Sequence, residues 1–60
     1  MKIKGVNYTY EIKEIPTVGL LIFMTEKYTK TRSILGRCTD IEDGVAKVNQ
    51  YEHYMMLVKS

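Results

Sequence analysis

The sequence predicts an α+β domain in which a three- or four-stranded antiparallel sheet carries one carboxyl-terminal helix packed on one face. Three observations support this fold class. Residues 8–13 alternate apolar and polar side chains, which is the pattern of a half-buried strand. Two more runs of strand length follow, each bounded by turn residues. From position 41 onward, apolar side chains recur at spacings of three and four, the period of an amphipathic helix.

The strands are predicted in order along the chain. Tyr8, Tyr10 and Ile12 face one side of the first strand, because successive side chains of a strand point to opposite faces. Ile3 is a candidate for an upstream extension of this strand, with Gly5 as a bulge or turn. The remaining predicted pieces are a turn at residues 16–19, a strand at 20–24, a polar loop or strand tip at 27–30 and a strand at 32–37.

The helix is predicted from its start signal and its apolar stripe. Thr39 and Glu42 have the spacing of a capping box, in which each side chain satisfies a free backbone N–H at the helix start. Gly44 falls inside the stripe, which predicts a close approach of the helix to the sheet. Glu52 also falls inside the stripe, and the pattern offers no reason for it. The apolar positions of the stripe are Ile41, Val45, Val48, Tyr51 and Met55.

The length of 60 residues allows one small domain, spanning 1–60. A chain this short buries only about 60% of its unfolded surface, so small domains commonly gain stability from disulfides, metals or oligomerisation. One cysteine excludes an internal disulfide, and one cysteine with one histidine is too few for a four-ligand zinc site. We therefore expect self-association, as a homodimer.

Cysteine use and hydropathy indicate the compartment. Cys38 is a lone thiol, and the charged amino terminus does not resemble an export signal. The longest apolar run, from Val18 to Met24, is far shorter than the ~20 residues that span a bilayer. We expect a cytoplasmic protein with no membrane partner.

The sequence predicts no catalytic residue, no metal site and no cofactor, and therefore no enzyme. Cys38 and His53 are a nucleophile and a base without a third orienting group at a recognisable spacing. The acids at positions 40, 42 and 43 are explained by the helix start, where the helix dipole favours anions. The four glycines are dispersed and form no phosphate-binding loop.

One stretch of the chain is basic and rich in hydroxyl groups, although the net charge of +2 and the pI of 8.8 are only mildly basic. Threonines and a serine lie between its cations, a mixture that suits phosphate contact, and arginine can also reach a guanine edge. The alternative is a solvated edge strand whose cations block pairing with another sheet. The candidate DNA-binding residues are Lys27, Tyr28, Lys30, Arg32 and Arg37; Lys30 and Arg32 are expected on one face of the strand.

Residues 30–46 read KTRSILGRCTDIEDGVA, a basic strand followed by Leu-Gly and an acidic helix start. In order and spacing this run resembles the DNA-binding domains of ethylene-response factors and the amino-terminal arm domains of phage and transposon integrases. The resemblance implies a three-stranded sheet backed by one helix. It also implies that the sheet lies in the major groove of duplex DNA, with Lys30 and Arg32 as contacts.

A second hypothesis comes from Leu20–Met24, which is apolar on both faces. Such a strand is expected where both sides of a sheet are covered, or where an apolar face binds another protein. The predicted oligomer interface consists of Leu21, Phe23, Met55 and Met56. DNA binding by a small accessory or regulatory protein is therefore the leading hypothesis. The alternative is a homodimeric protein-binding or inhibitor module, phage- or plasmid-derived in type, that binds a host protein.

Overall fold

The computed structural model of the chain describes residues 1–59, and it describes side chains for residues 1–58. The predicted fold class is confirmed, with four strands and one helix at the carboxyl end. The elements are β1 (Lys2–Lys4), β2 (Tyr8–Ile15), β3 (Gly19–Glu26), β4 (Arg32–Cys38) and α1 (Ile41–Lys59).

The strands form one antiparallel sheet in the order β1-β2-β3-β4. Ile3 does not extend the strand that follows it, because the chain reverses at Gly5 and places Ile3 opposite Tyr10. The Gly5 N–H donates to the carbonyl of Tyr8 at 2.8 Å and closes this first turn. The upstream residues are thus a separate edge strand.

Both longer hairpins turn through residues with positive φ. Pro16 and Thr17 connect β2 to β3, with Thr17 at φ 68° and the Val18 N–H donating to the Ile15 carbonyl at 3.2 Å. This arrangement suits proline at the second position of a turn and a left-handed residue at the third. Lys30 ends the β3–β4 turn at φ 62°. Lys30 thus lies in the predicted loop at 27–30, and the expectation that it shares a strand face with Arg32 is wrong, because its backbone is left-handed and outside β4.

The face of the sheet that carries α1 is called the inner face. Tyr10, Ile12, Ile22 and Met24 project from β2 and β3 on this face and are buried together with Val48 of the helix. Their alternation on the strands and the helical spacing of Val48 are the periodicities that predicted the fold. The core therefore lies between the two central strands and the middle of α1.

Gly44 allows the helix to approach the sheet closely, as predicted. A Cβ at this position would lie 2.7 Å from Cδ1 of Ile12 and 3.0 Å from Sγ of Cys38. Ile41 is 41% exposed, so the apolar stripe of the helix begins to contact the sheet only after the first turn. The first turn instead faces solvent with its acids.

The helix start lies one residue later than the predicted capping box. The Oδ1 atom of Asp40 accepts the N–H of Asp43 at 2.7 Å, so Asp40 is the N-cap. The Oδ2 atom of Asp43 accepts the backbone N–H of Thr39 at 3.0 Å. The first helical hydrogen bond then joins the Gly44 N–H to the Asp40 carbonyl. The prediction of a Thr39–Glu42 capping box is wrong, because Asp40 and Asp43, which have the same spacing, form the cap one residue later.

Candidate nucleic-acid interface

The sheet face that α1 does not cover is called the outer face. Pairing across the sheet groups its side chains in three rows, because paired residues of antiparallel strands share a face. The first row is Lys13, Leu21 and Arg37; the second is Lys2, Glu11, Phe23 and Ile34; the third is Lys4, Thr9, Thr25 and Arg32.

A β-bulge in the last strand brings both predicted arginines to the outer face. Arg32 and Arg37 are an odd number of positions apart, so a regular strand would place them on opposite faces. The register of β4 against β3 shifts between Ile22 and Phe23, opposite the segment that contains Leu35. Arg32 then pairs with Thr25 and Arg37 with Leu21. Leu35 meanwhile packs against the core.

Apolar side chains occupy the middle of the outer face. Leu21, Phe23 and Ile34 form this group, called here the apolar stripe. Leu21 and Phe23 are half-buried, and Ile34 is 58% exposed. The guanidinium carbon of Arg32 lies 5.7 Å from the centre of the Phe23 ring, within cation–π range. The stripe therefore lies between cations of the first two strands and the arginines of the last.

Charge is segregated between the two sides of the sheet. The outer face carries five basic side chains and one acid, a net charge of +4 in a protein whose total charge is +2. That acid, Glu11, lies 3.7 Å from the ammonium of Lys13. The other six acids of the chain lie on the inner face, at the helix start or on the helix: Glu14, Glu26, Asp40, Glu42, Asp43 and Glu52. Residues 1–59 thus present a cationic face opposite an acidic one.

The β3–β4 turn stands at the end of the outer face and presents an aromatic side chain. Tyr28 is 83% exposed at its tip. The Lys30 N–H donates to the Glu26 carbonyl and the Glu26 N–H to the Thr31 carbonyl, both at 2.9 Å. These bonds fix the turn. A shallow groove of about 420 Å³ on the outer face is lined by Lys27 and Lys30 of this turn together with side chains of all four strands.

The five predicted DNA-binding residues therefore have different surroundings. Arg32 and Arg37 lie on the outer face, and Tyr28 and Lys30 lie in the adjoining turn. Lys27 is engaged elsewhere, because its ammonium donates to the Gly5 carbonyl at 2.6 Å. Sequence reasoning missed three cations that the sheet adds to this face, Lys2, Lys4 and Lys13. The alternation of the strand at residues 8–13 indicates that Lys13 lies on this face. The positions of Lys2 and Lys4 cannot be predicted without knowing that β1 folds back on β2.

The predicted interface residues do not form one surface. Leu21 and Phe23 lie on the outer face, whereas Met55 and Met56 lie on the helix at the other side of the sheet. Met55 is half-buried and Met56 is 62% exposed. Self-association stays a prediction, but the four side chains do not lie on one patch of the surface.

Glu52, unexplained in the sequence, holds the first turn of the sheet. Its carboxylate accepts a hydrogen bond from the buried Tyr10 hydroxyl and another, at 2.9 Å, from the Val6 N–H. A Cβ on Gly5 would lie 2.7 Å from this carboxylate, so a larger residue there would displace the Glu52 side chain. Burial, and then the hydrogen bond to Glu52, raise the pKa of the Tyr10 hydroxyl far above its ordinary value. The pair keeps β1 attached to the rest of the sheet.

Residues 1–59 show no group of three or more His, Cys, Asp and Glu side chains arranged to hold a metal ion. Cys38 lies half-buried beside Gly44, and His53 is exposed further along the helix. In the same described part of the chain, no helix combines the length and apolar character needed to cross a bilayer.

Comparisons of the chain with protein-family models, curated proteins and solved structures each found no match. The resemblance to ethylene-response-factor domains and integrase arm domains therefore stays a prediction from the sequence.

Proposed function

We propose that this chain is a small binding protein that contacts nucleic acid, DNA in the first instance, through the outer face of its sheet. The observation that carries the proposal is the segregation of charge: five cations and one acid on the outer face, against six acids and four cations in the rest of the chain. Phosphate contacts by lysine and arginine supply most of the affinity of such surfaces. We place the protein in the cytoplasm, where a lone thiol such as Cys38 stays reduced.

The outer-face cations lie on β1, β2 and β4, and one of them is on a central strand, which favours binding over a purely protective role. Lysine and arginine that only block edge pairing are needed on edge strands. Here Lys13 lies on the central strand β2, and the bulge turns both arginines of β4 toward the same face. Lys47 covers part of the β4 edge by donating to the Arg37 carbonyl at 2.9 Å. Edge protection alone does not account for this arrangement.

The charge of the outer face also argues against a homodimer formed by the apolar stripe. Two copies joined there would bring two faces of net charge +4 together. Juxtaposed like charges cost several kcal/mol and suppress association. A polyanion fits the same surface without that cost.

The proposal is tested by measuring DNA affinity at several salt concentrations. With three to four phosphate contacts, the slope of log K against log salt should be roughly −3, because each contact contributes about −0.9. Arg37→Gln removes one charge from the outer face and should reduce this slope by about one. The matched control is Gln50→Glu, which changes the net charge equally but at an exposed position on the helix. It should leave the slope unchanged.

Two results would reject the proposal. The first is no retention of any nucleic acid at about 50 mM salt, where electrostatic binding is strong. The second is an equal loss of affinity in Arg37→Gln and Gln50→Glu. Such equality would mean that only the total charge of the protein matters and that the outer face is not the binding surface.

A second candidate is self-association through the helix end. Tyr54, Met56, Leu57 and Val58 are each about 60% exposed near the carboxyl end of α1. Exposed apolar clusters commonly mark protein interfaces, and methionine adapts to irregular partners. Sedimentation equilibrium of the wild type and of Met56→Asp tests this candidate. A wild-type dimer that the substitution converts to monomer would support it, and a wild-type monomer at high protein concentration would reject it.

A further inference from the structure

We infer that the outer face takes a single strand of nucleic acid, with unpaired bases against the apolar stripe and phosphates at the flanking cations. This inference rests on the proposed function and specifies the form of its ligand. It follows from three features of the outer face: its apolar centre, its cationic margins and the aromatic turn at its end.

The apolar centre distinguishes a single strand from a duplex. A duplex presents phosphates and the polar edges of its bases, and in the major groove only the thymine methyl group is apolar. In a single strand the faces of the bases are available for stacking. Leu21, Phe23 and Ile34 together offer an apolar surface that unpaired bases can cover. The Arg32 guanidinium near the Phe23 ring adds a cationic plane on which bases also stack.

The cations at the margins of the outer face suit the sugar–phosphate backbone of a single-stranded nucleic acid. Leu21 is flanked in its row by Lys13 and Arg37. The row of Phe23 runs from Lys2 through Glu11 to Ile34, so it has a cation at one end only. The next row has Lys4 at one end and Arg32 at the other. Neighbouring strands of a sheet are about 4.8 Å apart, so the cations border a channel only a few strands wide. A backbone that follows either margin of the channel would bring its phosphates to cations while the bases face the stripe.

The β3–β4 turn extends this surface. Tyr28 stands 83% exposed beside Lys30 at the end of the sheet. The turn is fixed by two backbone hydrogen bonds and by a contact of 2.9 Å between the Thr29 and Thr31 hydroxyl oxygens. Because the turn is already ordered, stacking a base on Tyr28 costs little conformational entropy. The tyrosine thus provides a second aromatic platform.

The experiment compares ligands of equal length by fluorescence anisotropy at low salt. The ligands are a deoxyuridine strand of about 12 nucleotides, the matching uridine strand, an abasic strand and a duplex, since small binding domains cover about 4–16 nucleotides. We expect the strands with bases to bind at least about tenfold tighter than the abasic strand and the duplex. The two strands with bases differ only by the 2′-hydroxyl, so the tighter one identifies DNA or RNA as the ligand.

Two variants test the stacking itself. Phe23→Leu keeps an apolar side chain in the stripe but removes the ring, and Tyr28→Ala removes the aromatic side chain at an exposed position that the core does not use. Each should weaken binding of the strands with bases about tenfold. Binding of the duplex and of the abasic strand should change less than twofold. Circular dichroism checks that both variants stay folded.

The inference fails if the duplex binds as tightly as the single strands, or if Tyr28→Ala and Phe23→Leu weaken all ligands equally. In either case the proposed function survives, because binding still depends on salt and on Arg37. If no ligand binds, the proposed function itself fails.

Discussion

Removing the half-buried Glu52 carboxylate should destabilise the domain clearly, because a buried hydroxyl depends on it. Glu52→Ala leaves the Tyr10 hydroxyl without its acceptor, and Tyr10 is fully buried. Leaving a buried donor unsatisfied costs about 1–3 kcal/mol. The Val6 N–H is exposed and can turn to water, so its loss adds little. We expect the free energy of unfolding to fall by about 2 kcal/mol.

That loss is large for a chain of this size. Native proteins have about 0.05–0.15 kcal/mol of stability per residue, so 60 residues give about 3–9 kcal/mol in total. A loss of about 2 kcal/mol should lower the melting temperature by about 8–16 °C. Thermal and urea unfolding followed by circular dichroism measures it. Gln50→Ala, an exposed change on the same helix, is the control and should remain within about 0.5 kcal/mol of wild type.

A double-mutant cycle separates the hydrogen bond from general damage to the helix. Tyr10→Phe removes the donor and should cost about 1 kcal/mol, because the half-buried Glu52 carboxylate keeps Val6 and can reach water. In the Tyr10→Phe background no buried donor remains, so Glu52→Ala should cost only about 0.5 kcal/mol. The expected coupling is therefore about 1.5 kcal/mol. A coupling near zero, or a Glu52→Ala midpoint equal to that of wild type, would refute this role for Glu52.

Three further predictions concern the helix. Asp40→Ala should cost about 1 kcal/mol in urea unfolding, the typical loss for an N-cap, whereas Thr39→Ala should cost less because the Thr39 backbone N–H still donates to Asp43. Gly44→Ala should destabilise the fold by about 1 kcal/mol despite its better helix propensity, because the new Cβ crowds Ile12; Ile12→Val should relieve part of that cost. The Lys47 ammonium, and then the Thr39 backbone N–H, lower the pKa of the Asp43 carboxyl below its ordinary 3.8. Its contribution is therefore present above pH 3.8 and lost as the pH falls through the lower folded pKa, and Asp43→Asn should flatten the acid limb of melting temperature against pH.

Each of these helix predictions has an opposing result. A larger loss in Thr39→Ala than in Asp40→Ala would return the N-cap to Thr39. A more stable Gly44→Ala would mean that the core yields to the added methyl group. An acid limb that Asp43→Asn leaves unchanged would mean that other carboxylates control acid unfolding.

Local patterns predicted the fold because its elements are long enough to show a period. The alternation of Tyr8, Tyr10 and Ile12 and the helical spacing around Val48 each identify a buried face without knowledge of any partner. The first strand has only three residues, too few for a period. Its existence depends on the reversal at Gly5 and on pairing with residues further along the chain.

The helix start illustrates a different limit. Thr39 with Glu42 and Asp40 with Asp43 are both cap residues followed by an acid three positions later. The residue types alone do not distinguish these two registers. The structure shows the second register, in which the Asp43 N–H donates to Asp40. Boundaries of this kind are set by tertiary packing.

The candidate site was only partly predictable because its members come together through long-range pairing. Arg32 and Arg37 are near in sequence, yet the bulge that aligns them leaves no clear signal in residues 32–38. Glu52 has its partners in the β1–β2 loop and on β2, more than forty positions away. A glutamate among the apolar positions of a helix indicates that its carboxylate has a polar partner, but the sequence does not say which residue that partner is.

The Glu52 cluster and the outer face are connected through the first strand. β1 contributes Lys2 and Lys4 to the outer face, but it has only three residues with which to pair. Glu52 from the helix and Lys27 from the β3–β4 turn both bind the loop that joins β1 to β2. These two polar contacts stabilise β1 in the sheet, because pairing over three residues alone would give it only marginal stability. The glutamate on the inner side of the sheet thus helps to maintain the cationic surface on the outer side.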